Sequence, residues 1–238
     1  MILSRLSRLR AYLEAQQIHE EDAWWVKERT RLDDLWQHEH GGFPGWVVGT
    51  DEVGRGPMAG PLVAAAATAQ GPVFIPGLND SKKLSADERE VLVELIRASN
   101  IRVEVEVVSV DVISEGNLHH LSLGAMQAAL KRLKIKPKLV LVDGKYPLPD
   151  KKLKQRALIG GDRNSALIAA ASIVAKVTRD RIMRDLARDF PGYGWEQNVG
   201  YCTGDHQDAL RRLGPTPHHR RNYAPVKAQM PQQLDLSY

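Results

Sequence analysis

Hydrophobic positions follow two different spacings along this chain, and the spacing changes at one short break. Residues 2–17 and 22–38 repeat apolar side chains at helical intervals, and the sequence GGFPG then interrupts the pattern at 41–45. Beyond the break, three segments have the β-branched or alternating patterns of strands, namely residues 46–52, 61–68 and 102–110. We therefore predict an N-terminal helical segment followed by three strands in an antiparallel meander.

The second half of the chain alternates helical and strand-like segments. A serine at position 85 with Glu88 three residues later predicts a capped helix that extends to Ala98. Two further helices are predicted at Ser114–Leu133 and at Ser165–Phe190, and two short strands at 138–144 and 157–162. This order of elements favours an α/β fold.

Acidic residues stand where three of the strand-like segments end. Asp51 and Glu52 end the first, Asp143 ends the fourth, and Asp162 ends the fifth. Because neighbouring strand ends in an α/β sheet aim their side chains at a common point, we expect these carboxylates to converge. Converging carboxylates repel one another unless a cation lies between them, and Mg²⁺ or Mn²⁺ prefers oxygen ligands.

Two such ions roughly 3.5 to 4 Å apart can activate a water molecule and stabilise the leaving oxygen of a phosphodiester. The set of acids therefore indicates a metal-dependent nuclease. The alternative, which stays open for each acid taken singly, is that it is a turn residue or a helix cap.

Composition and charge narrow the classes of protein further. The 238 residues, 43% of them hydrophobic, suit one sizeable core, and the formal charge of +4 is compatible with a polyanionic partner. The single cysteine, Cys202, excludes an internal disulfide and makes a structural zinc site improbable. No apolar stretch approaches the roughly 20 residues that span a bilayer, and the N-terminus lacks a signal-peptide core. We therefore expect a cytoplasmic protein that does not associate with membranes.

Six longer motifs point to one family. They occur between about residues 46 and 227 in this order: GTDEVGRGPMAGP, GLNDSKKLS, LVLVDG, GGDRNSALIAAASIVAKVTRD, NVGYCTGDHQDALRRLGP and HHRRNYAPV. In these motifs the chain resembles the bacterial type 2 ribonucleases H. The resemblance implies a ribonuclease H-like fold, in which a mixed five-stranded sheet, three strands antiparallel and two added parallel, is flanked by helices. The matching motifs indicate a catalytic domain at 46–227. The break at 41–45 separates from it a predicted helical N-terminal extension, 1–45, which the resemblance does not cover, and 228–238 would be a C-terminal tail.

The resemblance assigns roles to particular residues. The family's metal-binding and catalytic acids match the same four positions that the strand ends indicate. Its glycine-arginine-glycine motif, which approaches the ribonucleotide 2′-hydroxyl, matches Gly54, Arg55 and Gly56, and its junction-recognising tyrosine matches Tyr201. The segment that lies beside the substrate in the family matches Asn79, Ser81, Lys82 and Lys83. One departure is Val199, where many members of the family have a lysine.

The activity that the resemblance implies is hydrolysis with two Mg²⁺ or Mn²⁺ ions on the 5′ side of ribonucleotides. The substrates would be RNA/DNA hybrids and DNA duplexes with embedded ribonucleotides, the products would carry 3′-hydroxyl and 5′-phosphate ends, and the enzyme would be a monomer. Three alternatives remain: a type 3 ribonuclease H, a non-catalytic nucleic-acid-binding module and a dinucleotide-binding oxidoreductase. The glycine-arginine-glycine motif argues against the first, and GRGPMAG lacks the strand-helix context that the last requires.

Overall fold

A mixed five-stranded sheet forms the centre of the computed structural model, which describes residues 23–40, 45–78 and 84–230. The strands are β1 (Val47–Val53), β2 (Leu62–Ala69), β3 (Ile101–Val108), β4 (Leu139–Asp143) and β5 (Gln155–Leu158). Their order across the sheet is β3-β2-β1-β4-β5. Strands β1, β2 and β3 pair antiparallel, whereas β4 joins β1 and β5 joins β4 in parallel. The predicted meander and the two added parallel strands are confirmed.

Helices flank the sheet; one precedes it in the sequence, three lie between its strands and the others follow β5. In the described residues they are α1 (Ala23–His40), α2 (Ala86–Ala98), α3 (Val110–Glu115), α4 (Leu118–Arg132), α5 (Gly161–Asn164), α6 (Ala166–Asp189), α7 (Trp195–Asn198), α8 (Gly204–Leu213) and α9 (Ala224–Lys227). The capping box predicted for α2 is present, since the Ser85 side chain accepts from Glu88 N and the Glu88 side chain accepts from Ser85 N. The long helix α6 begins after Ser165, whose side chain caps it.

One predicted helix is wrong in extent. The segment Ser114–Leu133 contains the end of α3 and, after a break, the separate helix α4. Asn117 caps α4 by accepting from the backbone N–H groups of His119 and His120. The predicted single helix is therefore interrupted at Asn117, because an N-cap residue takes an extended backbone conformation, although the apolar pattern of the sequence continues across it.

The two faces of the sheet bury two separate sets of apolar side chains. Successive residues of a strand point to opposite faces, so Val47 and Ala65 pack with α6 while Val48 and Ala64 pack with α4. The first turn of α6 comes very close to β1, because a Cβ added to Gly49 would lie 2.4 Å from Ile168 N. Glycine at this position therefore allows the long helix to lie directly on the central strand.

Helix α1 packs against the main core. Leu32 is fully buried in the same apolar cluster as α6, and Trp36 packs against that cluster. Arg31 donates to the carbonyl of Leu78 at 2.8 Å, and Glu28 accepts from Gly77 N at 3.1 Å. The described part of the N-terminal segment is thus attached to the sheet domain by both apolar and polar contacts, and the domain boundaries themselves remain a prediction.

None of the helices in residues 23–40, 45–78 and 84–230 combines the length and the apolar character needed to cross a membrane.

Candidate active site

Two of the four acids, Asp51 and Asp143, lie side by side on the neighbouring parallel strands β1 and β4. The register of β1 and β4 pairs Thr50 with Val142, so Asp51 and Asp143 are the next residues on adjacent strands. Asp51 is 7% exposed and its Oδ1 accepts from Glu52 N at 2.7 Å. Its carboxylate is also hydrogen-bonded by the Ser172 side chain on α6. The strand end therefore presents a buried carboxylate that the backbone and α6 orient.

The fourth acid reaches this region by a route that differs from the sequence prediction. Strand β5 ends at Leu158, and Asp162 lies on the short helix α5 instead of at a strand end. A left-handed turn at Gly160, with φ of 63°, leads into α5, and Gly161 N donates to Asp143 Oδ1 at 2.7 Å. Because Gly161 precedes Asp162 directly, this hydrogen bond connects the end of β4 to the helix that carries Asp162. Asp162 is 8% exposed.

Three of these carboxylates disfavour one another's charge. Burial raises the pKa of Asp51 well above its usual value, and the charges of Asp143 and Glu52 raise it further. Burial also raises the pKa of Glu52, which the Arg55 guanidinium opposes from 3.6 Å. A divalent cation would relieve this repulsion, and oxygen donors are the ligands that Mg²⁺ and Mn²⁺ prefer.

The donor set therefore fits a hard metal ion by its chemistry. In the ranges that the structure describes, however, no three His, Cys, Asp or Glu side chains form a ready-made metal-binding group. Asp143 lies near enough to raise the pKa of Asp51 and of Glu52, but the carboxylates are not already arranged as a coordination shell.

The glycine-arginine-glycine loop and Tyr201 lie against each other. The loop follows β1 directly, and a Cβ added to Gly56 would lie 3.4 Å from Tyr201 Cε1. Gly54 has a φ of 98°, and a Cβ there would lie 2.5 Å from Arg179 Nε, so both backbone conformation and space require glycine. Tyr201 is 43% exposed, and its ring therefore remains accessible beside the loop.

A buried arginine holds this loop from beneath. Arg220 is fully buried, and it donates to the carbonyls of Gly54 at 2.6 Å, Arg55 at 3.2 Å and Gly60 at 3.0 Å. The Tyr223 hydroxyl donates to the carbonyl of Arg55 as well, at 2.5 Å. No role for Arg220 can be predicted from sequence patterns, since its partners lie about 160 residues away and no spacing pattern indicates them.

A second buried arginine connects the same loop to the segment that carries Tyr201. Arg179 donates to the carbonyls of Ala59 at 3.0 Å, Pro61 at 2.9 Å and Val199 at 2.9 Å. Burial, followed by the nearby charge of Arg220, lowers the pKa of Arg179 to about 10, so it remains charged at neutral pH. Val199 packs against the apolar cluster around Trp195, which explains how an apolar residue is accommodated at this position.

The remaining substrate-side predictions, Asn79, Ser81, Lys82 and Lys83, lie outside the described residues.

Comparisons with known proteins identify the family. The family model described as Ribonuclease HII matches residues 48–226. The chain is 51% identical to a Ribonuclease HII of Paracoccus denitrificans over 76% of this chain and 86% of that protein. It is 46% identical to a Ribonuclease HII of Geobacillus kaustophilus over 76% of this chain and 69% of that protein.

A solved structure agrees. The ribonuclease H2 of Pyrococcus horikoshii superposes with a TM-score of 0.63 at 26% identity, and the match covers 77% of this chain and 96% of that one. The fold is therefore ribonuclease H-like. From the matched length, the identity and the shared fold together, the chain belongs to the ribonuclease HII family and is an enzyme, a hydrolase of the ribonuclease H class.

Proposed function

We propose that this enzyme hydrolyses the phosphodiester on the 5′ side of ribonucleotides in RNA/DNA hybrids and in DNA duplexes with embedded ribonucleotides. The products would carry 3′-hydroxyl and 5′-phosphate ends, a polarity that follows from the family resemblance. The observation that carries the proposal is the arrangement at one end of the sheet. There, the acids in the last residues of β1 and β4 adjoin a glycine loop whose neighbour is an accessible tyrosine ring.

The acids supply the chemistry in this proposal. Asp51, Glu52, Asp143 and Asp162 would hold two Mg²⁺ or Mn²⁺ ions. The raised pKa values of Asp51 and Glu52 support this, because burial and the charge of Asp143 disfavour both carboxylates and only Glu52 has an arginine, Arg55, that offsets the effect in part. When bound, the ions would provide charge neutralisation and Lewis acidity at the scissile phosphate. Ser172 and the backbone N–H of Gly161 keep two of the carboxylates oriented toward the shared region.

The glycine loop and Tyr201 supply the recognition. With no side chain at the exposed Gly56, the main chain of the glycine loop can come close to a ribose 2′-hydroxyl, the group that distinguishes RNA from DNA. The Tyr201 ring would pack against the neighbouring sugar, and Asn79, Ser81, Lys82 and Lys83 would contact the substrate beside it. We further propose that the enzyme acts as a monomer in the cytoplasm.

A cleavage panel tests this function. The protein is incubated with a DNA duplex containing one ribonucleotide, with an RNA/DNA hybrid and with an all-DNA duplex, each with Mg²⁺, Mn²⁺ or a chelator, and the ends are mapped. We expect cuts 5′ of ribonucleotides, with either metal and not with the chelator, and no cut in the all-DNA duplex. Cleavage of the all-DNA duplex, or undiminished cleavage in the chelator, would refute the proposal.

A further inference from the structure

The loop that carries Tyr201 has a backbone that must be held in place. Val199 has a φ of 43° and Gly200 a φ of 85°, both in the left-handed region, which a β-branched residue such as valine rarely adopts. A Cβ added to Gly200 would lie 2.4 Å from the carbonyl oxygen of Ala59. Since Tyr201 is 43% exposed, its side chain is only partly held by packing, and contacts to its backbone help to fix where the ring lies.

A buried chain of hydrogen bonds reaches the Tyr201 carbonyl. His206, on α8, is fully buried, and its Nδ1 lies 2.8 Å from Tyr201 O. The other ring nitrogen, Nε2, lies 2.9 Å from Trp195 Nε1 and 3.1 Å from His219 Nε2. His219 in turn has its Nδ1 3.0 Å from the backbone nitrogen of Thr216. These hydrogen bonds thus connect the segments of Trp195, His206 and His219 to Tyr201, which lies beside the glycine loop.

The N–H donors among these hydrogen bonds fix the tautomers of His206 and His219. An indole N–H and a backbone N–H can only donate, so His206 Nε2 accepts from Trp195 and His219 Nδ1 accepts from Thr216. His206 therefore carries its proton on Nδ1 and donates to Tyr201 O, while His219 carries its proton on Nε2, facing His206. Both rings are neutral in this arrangement, and burial accordingly lowers the pKa of His206 and lowers that of His219 to about 4.

We propose that His206 is a positioning residue for ribonucleotide recognition, because its Nδ1–H holds the Tyr201 carbonyl and thereby keeps the tyrosine ring over Gly56. His219 and Trp195 contribute by fixing the His206 ring in the tautomer that donates. The inference rests on the proposed function, since it concerns how Tyr201 is presented to the substrate. Without the donor at His206 Nδ1, the left-handed loop loses the hydrogen bond that holds the backbone of Tyr201.

Two substitutions of His206 separate positioning from stability. In His206→Asn the amide nitrogen takes about the place of Nδ1, so it can still donate to Tyr201 O, but Trp195 and His219 lose their partner. In His206→Gln the amide reaches about the place of Nε2, so those partners are kept while the donor to Tyr201 O is lost. His206→Asn therefore keeps the hydrogen bond to Tyr201 O, whereas His206→Gln keeps the hydrogen bonds to Trp195 and His219.

The measurement is single-turnover cleavage of a DNA duplex with one ribonucleotide, alongside urea unfolding of each variant, at a temperature where all are folded. We expect His206→Gln to cleave about tenfold more slowly, while its unfolding midpoint stays nearer to wild type. His206→Asn should show the lower unfolding midpoint of the two but the faster cleavage. A role in stability alone predicts that cleavage falls in the same order as the unfolding midpoints.

Two controls complete the test. Tyr193→Phe removes a 2.6 Å hydrogen bond to Gly214 O in the same aromatic cluster, and it should lower stability without slowing cleavage. In a Tyr201→Ala background, His206→Gln should cause no further loss, because the residue through which it acts is gone.

The inference is overturned if His206→Gln cleaves as fast as wild type, if rates follow unfolding midpoints, or if the tenfold effect persists without Tyr201. If the wild-type enzyme itself leaves the ribonucleotide duplex intact, the proposed function fails and the inference with it. If wild type cleaves normally and His206→Gln does as well, the inference alone fails.

Discussion

At the scale of single residues, the side chains that face the proposed substrate depend on buried ones that do not. Tyr201 and Gly56 lie in contact at an accessible surface, whereas Arg179, Arg220 and His206 lie beneath it and bind main-chain carbonyls. Each of these buried groups donates to the loop that follows β1 or to the loop that carries Tyr201. Recognition therefore requires an ordered backbone, which the exposed residues alone do not provide.

The Tyr201 ring should matter more than its hydroxyl. An aromatic face against a nucleotide is worth on the order of 1 to 3 kcal/mol by alanine substitution in single-strand binders, whereas a neutral hydrogen bond contributes about 1 kcal/mol. We expect Tyr201→Ala to lose more single-turnover cleavage at an isolated ribonucleotide than Tyr201→Phe, with an unchanged Mg²⁺ dependence. Wild-type rates in Tyr201→Ala would show that this residue only packs.

At the scale of elements, the sequence pattern predicts those strands and helix starts that depend on neighbouring residues, and it does not predict contacts between distant segments. The three meander strands follow from their β-branched or alternating residues, and α2 and α6 begin at the serines that cap them. The prediction of Asp162 at a strand end extends the apolar run 157–159 through Gly160 and Gly161, although a Gly-Gly pair favours a turn, and Gly160 takes the left-handed conformation that starts α5. The contacts of Arg220 and His206 could not be predicted at all, because they join segments that are distant in sequence or meet only in the folded aromatic cluster.

Helix α1 should contribute stability and not chemistry. Leu32 is fully buried in the core shared with α6, so Leu32→Ala should cost about 2 to 5 kcal/mol in the free energy of unfolding. Because α1 lies outside the acids and the glycine loop, single-turnover cleavage with saturating enzyme should not change at a temperature where the variant is folded. The exposed Val26→Ala on the same helix is the matched control and should leave both quantities near wild type.

The same expectation applies to a chain that starts near Gly45. It should be less stable and still cleave saturating substrate. A shortened chain that folds and is chemically inactive would show that the N-terminal segment takes part in the reaction.

At the scale of the whole molecule, buried titratable groups make stability depend on pH. The pKa of His219 is about 4 in the folded protein against an ordinary 6.5, so the unfolded chain binds more protons between these values. The contribution of His219 is therefore fully present above about pH 6.5 and is lost as the pH falls toward 4. Its size is on the order of 3 kcal/mol across that window.

A comparison of wild type with His219→Gln separates the contribution of His219 to the pH dependence of stability from the contributions of the other titratable groups. Urea unfolding of wild type and His219→Gln between pH 4.5 and 7.5 should give curves whose separation narrows as the pH falls, since the variant cannot take up the proton. A constant separation across this range would contradict the assignment of a buried neutral histidine.

The central claim is that the carboxylates at the end of β1 and β4 perform the reaction, while the glycine loop and Tyr201 bind the substrate. Asp51→Asn tests it most directly, because the substitution removes a charge and keeps the shape of the side chain. The variant should also be as stable as wild type or slightly more stable without metal, since burial and neighbouring acids disfavour the charge of Asp51.

The decisive measurement pairs cleavage with binding for wild type and Asp51→Asn on a DNA duplex with one ribonucleotide. Binding is measured in Ca²⁺, and single-turnover cleavage in Mg²⁺. We expect Asp51→Asn to lose cleavage and to retain binding. Cleavage at the wild-type rate by a folded Asp51→Asn enzyme would contradict it.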